Sequence, residues 1–95
     1  MTQRKKFERL IEFFKSLGDP TRLRILILLS RKALCVCELC DILKLSQPKI
    51  SRHLAKLRDQ DLVTDIREGQ WVFYHLNTEE QLSETIIRLI AANYE

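Results

Sequence analysis

The stretch DPTRLRILILLS, residues 19–30, constrains this chain more than any other. Asp19 is a good helix N-cap, and Pro20 suits the first helical position, where a missing N–H does no harm. Leu23, Ile25, Leu26, Ile27, Leu28 and Leu29 then make the helix apolar on nearly every side. Such a helix has no broad face to give to water, so it belongs in a core and other elements must cover it.

With 95 residues, the chain is expected to form one domain, 1–95. Upstream, QRKKFERLIEFFKSL places Phe7, Leu10, Ile11, Phe14 and Leu17 along a helical stripe, with Phe13 off its centre and Gly18 ending the helix. Downstream, a short helix runs roughly from Cys37 to Leu43, and Lys44–Leu45 make a turn. Ser46 then caps the helix QPKISRHLAKLRDQ, whose first turn tolerates Pro48. After Asp61 the period changes. LVTDIR and QWVFYHL are rich in β-branched and aromatic residues and flank Glu68–Gly69, a hairpin signal. Thr78 caps a last helix, EEQLSETIIRLIAANYE, with Leu82, Ile86, Leu89, Ile90 and Tyr94 on its apolar face. The expected fold is mainly α with a β-hairpin wing, in the order α-α-α-α-β-β-α. A tight helix pair followed by a hairpin is the plan of a winged helix-turn-helix.

The helix from Ser46 has two unlike sides. At about 100° per residue, Ile50, Leu54 and Leu57 share one narrow face. Pro48, Lys49, Ser51, Arg52, Ala55 and Lys56 lie opposite, with no carboxylate before Asp59. Lys and Arg neutralise phosphates; Arg, Lys, Ser and Gln also reach base edges in the major groove. Gln47, Lys49, Ser51, Arg52 and Lys56 are therefore the candidate DNA contacts, with Arg67 and Gln70 at the hairpin tip as wing contacts. The bland alternative is a solvated charged face, and a winged-helix module that binds only protein. His53, on the side of the helix, reads as a packed or capping residue.

A net charge of +3 and an isoelectric point near 8.9 permit nucleic-acid binding without demanding it. The N-terminus MTQRKKFERL lacks the apolar core of a signal peptide, and the longest apolar run, Ile25 to Leu29, is too short to span a membrane. A cytoplasmic protein with no membrane partner is expected. No Gly-rich phosphate loop, HExxH or Cys–His pairing supports an enzyme. The first and last helices carry broad apolar faces, which are expected to meet across a two-fold axis as dimerisation helices.

LGDPTRLRILILL, LCVCELCDIL, LSQPKISRHLAKLRDQDLV and EGQWVFYHLN together resemble the ArsR/SmtB family of metal-responsive winged-helix repressors, over roughly residues 7–77. LCVCELC just before SQPKISRHL resembles the arsenic(III)-responsive subgroup. The resemblance implies a homodimer that binds a palindromic operator in double-stranded DNA and leaves it when inducer binds. It places the inducer thiols on Cys35, Cys37 and Cys40. Two departures stand out. The last helix has no histidine for the zinc site some relatives build there, and residues 1–34 have no cysteine for a fourth thiolate.

The residues themselves point the same way. All three cysteines of the chain fall within 35–40. Thiolates select soft ions, and three of them suit three-coordinate As(III) or Sb(III); no structural zinc is expected, since that ion wants four ligands. Cys37 and Cys40 share a helical face, about 60° apart. Cys35 and Cys37 lie about 200° apart in a regular helix. The three meet only if the chain leaves helical geometry near Cys35. Three alternatives stand beside this reading: small buried cysteines, a thiol metal buffer, and a redox switch through Cys37 and Cys40.

Overall fold

A computed structural model describes residues 3–94; Met1, Thr2 and Glu95, the ends of the expected domain and of the expected last helix, lie outside the described residues. The helices are α1 (Gln3–Leu17), α2 (Pro20–Arg31), α3 (Val36–Leu43), α4 (Gln47–Asp59) and α5 (Gln81–Asn93). The strands are β1 (Leu34–Cys35), β2 (Val63–Glu68) and β3 (Trp71–Leu76). This is the winged helix-turn-helix order with one addition, the two-residue β1.

Helix α2 is the hub. Asp19 Oδ1 accepts the Arg22 N–H at 2.9 Å, and Pro20 opens the first turn. Ile25, Leu26 and Ile27 are buried in succession, and Leu29 follows. Three consecutive buried residues cannot share a face, so α2 is covered from several directions: by α1, α4, α5 and β3. Ile50, Leu54 and Leu57 bring α4 into this core, as their stripe predicts.

Two stripes read differently in the structure. On α1 the buried aromatic is Phe13, whereas Phe7, Ile11 and Phe14 are exposed. The same inner face buries Ser16, whose Oγ donates to Gln60 Oε1 at 2.6 Å. Gln60 Nε2 in turn donates to the Glu12 carbonyl at 3.3 Å, tying α1 to the end of α4. On α5 Ile87 is buried, whereas Leu82 and Leu89, and Tyr94 at the C-cap, face outward. The helix also starts later than Thr78 suggests. Asn77 Oδ1 accepts the Glu79 N–H at 3.0 Å, and this turn delivers the chain to Glu80, the N-cap.

The sheet has the order β1-β3-β2, antiparallel throughout. Glu68 pairs with Trp71, so the hairpin loop is Gly69–Gln70, one residue later than expected. Gly69, at φ 63, supplies the left-handed conformation that tight hairpin turns need. Lys44 makes another sharp turn: at φ 57 it ends α3, and the chain reaches Ser46 two residues later. That brevity sets α3 against α4 as a helix-turn-helix.

Leu39 is the fully buried anchor of α3. Leu39→Ala should destabilise the fold by about 2–5 kcal/mol, measured by urea unfolding at fixed protein concentration. A loss under roughly 1 kcal/mol would mean α3 is not held by that contact.

Candidate thiol site and nucleic-acid interface

The three cysteines occupy three environments at the β1–α3 junction. Cys35 is extended, at φ −87 and ψ 168, and lies opposite Phe73 of β3. It is also the N-cap of α3. Its N–H donates to Glu38 Oε1 at 3.0 Å, one half of a capping box whose other half sets the Cys35 side chain against the Glu38 N–H. The Cys35 N–H also holds the Glu38 carboxyl below its ordinary value. The chain therefore does leave helical geometry at Cys35.

Cys35 is buried, Cys37 exposed and Cys40 half-buried, all as free thiols. Cys37 and Cys40 line one shallow depression with Glu38, Asp41 and Gln47. Cys35 is not among its walls. No three His, Cys, Asp or Glu side chains are gathered to hold a metal among the described residues. The donor set fits a soft, three-coordinate ion, but two thiols are presented together and the third is packed away.

Gln47, the first residue of α4, is the unexpected neighbour. It lies in the thiol depression and donates from Nε2 to Ser51 Oγ at 3.0 Å. The first turn of α4 is thus part of the thiol site's wall. No spacing rule would find this; only the tight turn at Lys44 brings Gln47 back over α3.

The remaining candidate contacts divide by element. Lys49, Arg52 and Lys56 are exposed on α4, and Ser51 is half-buried. Arg67 and Gln70 are exposed on the wing, Arg67 opposite Val72 and Gln70 in the loop. Among the described residues none of Lys49, Arg52, Lys56 and Arg67 is in an ion pair. By contrast, Arg58 near the end of α4 faces Asp65 at 3.8 Å, which joins helix to wing. The outer face of α4 therefore carries uncompensated cations, the charge pattern a polyanion needs.

His53 packs beside the start of α2. Burial holds its imidazole below the ordinary range; Asp19 pulls it back up, and Arg22, Lys49 and Arg52 press it down. It is a packed residue, as its position on the helix side suggests.

A helix pair, a paired wing and a first helix that carries thiols define a winged helix-turn-helix. Residues 19–65 match the family model for bacterial regulatory proteins of the ArsR family. The arsenic resistance transcriptional regulator ArsR1 of Pseudomonas putida is 57% identical over 67 residues, covering 70% of this chain and 52% of that protein. The arsenical resistance operon repressor of Escherichia coli is 56% identical over 68 residues, covering 70% of this chain and 58% of that protein. The chain thus spans between half and three-fifths of those relatives' lengths. Among solved structures, HlyU from Vibrio cholerae superposes with a TM-score of 0.84 at 34% identity, covering 99% of this chain and 98% of that one. The chain belongs to the ArsR family.

The depressed His53 sets a pH dependence. Below the ordinary imidazole value of 6.5 the unfolded chain takes up a proton before the folded chain does. Stability should therefore fall as pH drops from about 6.5 toward the lower folded-state value. Unfolding at pH 7.5 and pH 5.5 should show a smaller difference in His53→Gln than in wild type. Equal differences would place His53 in water.

Proposed function

We propose that the chain is a homodimeric, cytoplasmic transcriptional repressor, not an enzyme. It binds a palindromic operator through α4 and the wing and releases it when As(III) or Sb(III) binds Cys35, Cys37 and Cys40. The observation that carries this reading is the shared depression of Cys37, Cys40 and Gln47. In this reading the helix that carries the uncompensated cations supplies, through Gln47, part of the wall of the soft-ligand site. The arsenic-resistance names of the two relatives support the choice of inducer.

In this reading Lys49, Arg52 and Lys56 meet phosphates, and Gln47 and Ser51 stand at the helix start where base edges come within reach. Arg67 and Gln70 meet the backbone beside the wing. When bound, the ion supplies a centre that draws three thiolates together, with no structural zinc involved. Each thiol exchanges its proton for a bond to arsenic as one hydroxyl of arsenious acid leaves as water, with no change of oxidation state. Cys37 and Cys40 can do this from where they stand. Cys35 must leave its buried place beside Phe73, which disturbs the first turn of α3 and the β1–β3 pairing together. Those elements hold α4 and the wing, so the DNA-binding surface differs between the two states. That difference is what coupling requires; 1–3 kcal/mol, about 5–150-fold in affinity, is typical.

The exposed Phe7, Ile11 and Phe14 on α1, with Leu82 and Leu89 on α5 and Tyr94 at its C-cap, support the dimer. A chain this short buries too little alone to leave such faces to water without reason.

Operator titration under reducing conditions tests the whole reading. Binding should weaken steeply with salt, and arsenite should lower affinity by about 5–150-fold. Cys37→Ser and Cys40→Ser should each abolish the arsenite response; full induction in both sinks the three-thiol site. Release by peroxide without arsenite would instead favour a redox switch through Cys37 and Cys40. Arg52→Ala should weaken operator binding at least severalfold while leaving a dimer in sedimentation. Wild-type binding by that variant would move the DNA face elsewhere. Leu89→Glu should give monomers with weakened operator binding; an intact dimer would place the interface off α5.

A further inference from the structure

We infer that Glu38 is a latch on the inducer site: a positioning residue that holds Cys35 in its buried, strand-paired place until the ion draws it out. This rests on the three-thiol reading and deepens it. Four observations carry it. Glu38 Oε1 accepts the Cys35 N–H at 3.0 Å, and the Cys35 side chain faces the Glu38 N–H in return. Cys35 is only 7% exposed, and its backbone pairs with Phe73. Cys35 is absent from the depression that Cys37 and Cys40 line. Glu38 lies in that depression itself, between the two thiols in sequence.

The one carboxylate thus touches both sides of the problem. It fixes the backbone of the thiol that must move, and it stands among the thiols that wait. A capping box closes only while the N-cap residue is extended and its partner is in the first helical turn. Drawing Cys35 toward Cys37 and Cys40 changes the first of these, so the Cys35 N–H leaves Glu38. Affinity for a ligand is reduced by whatever fraction of molecules is not in the competent state. The latch lowers that fraction in the DNA-binding form. Glu38 therefore sets the arsenite threshold without being a ligand.

The test reads Cys35 directly. In a Cys37→Ser, Cys40→Ser background Cys35 is the only thiol, and its alkylation by iodoacetamide reports the latch with no arsenic present. Adding Glu38→Ala should speed alkylation by roughly three- to tenfold, the worth of one cap. Glu38→Gln, whose amide oxygen still accepts the Cys35 N–H, should change it by less than about twofold. With all three cysteines present, Glu38→Ala should lower the arsenite concentration that half-fills the site by a similar factor, read by ultraviolet sulfur-to-arsenic absorption. Alkylation no faster in Glu38→Ala than in its parent overturns the latch, and so does Glu38→Gln reacting as fast as Glu38→Ala. If Glu38→Ala does not fold, the wild-type chain decides. The Cys35 amide should exchange slowly without arsenite and rapidly with one equivalent; slow exchange in both overturns the proposal. Failure of the wild-type chain to develop sulfur-to-arsenic absorption would sink the three-thiol reading itself, and the alkylation comparison would still stand as the measure of the latch.

Discussion

Everything in this fold depends on the burial of α2. A helix apolar on almost all sides is stable only when surrounded, and α1, α4, α5 and β3 surround it. The consequence is mechanical. Helix α4 and the wing strand β3 are both packed on α2, so the core sets how they lie relative to each other. Small adjustments can then come only from elements at the margin of that core, and α3 is the marginal one. It is eight residues long and has one fully buried anchor, Leu39.

Much of this was legible in the residues. Asp19–Pro20 announced the start of α2, and the spacing of Ile50, Leu54 and Leu57 gave the inner face of α4. The stripes of α1 and α5 were less informative because those helices are apolar on two sides. Phe13 and Ile87 turn inward, while Phe14 and Leu89 turn out. Periodicity marks an apolar residue without saying which partner it will meet. The two-residue β1 was invisible because nothing local makes Leu34–Cys35 a strand; its partner β3 lies almost forty residues away.

The site was legible to a different depth. The three thiols and the basic face of α4 were plain from spacing, since soft donors and cations declare themselves by residue type. Their arrangement was not. That Cys35 is buried and Cys37 exposed follows from β1, and that Gln47 walls the thiol depression follows from the turn at Lys44. Both are products of tertiary folding. Glu38 gives no signal in the sequence, because a lone glutamate in a helical run usually means a solvated surface. Only its bond to the Cys35 N–H distinguishes it.

The brevity of β1 has a consequence for sensitivity. A strand of two residues forms few ladder bonds, so opening it takes little free energy compared with unfolding the domain. In the proposed switch such a strand acts as a fuse. If Cys35 sat in a long central strand, any ion strong enough to extract it would also have to dismantle the sheet. In the proposed switch, its place in the smallest strand, at the edge of the sheet, lets it be withdrawn and returned without dismantling the β2–β3 hairpin. In that reading the thiol that must move is a buried one, held by the shortest strand and not by the α2 core.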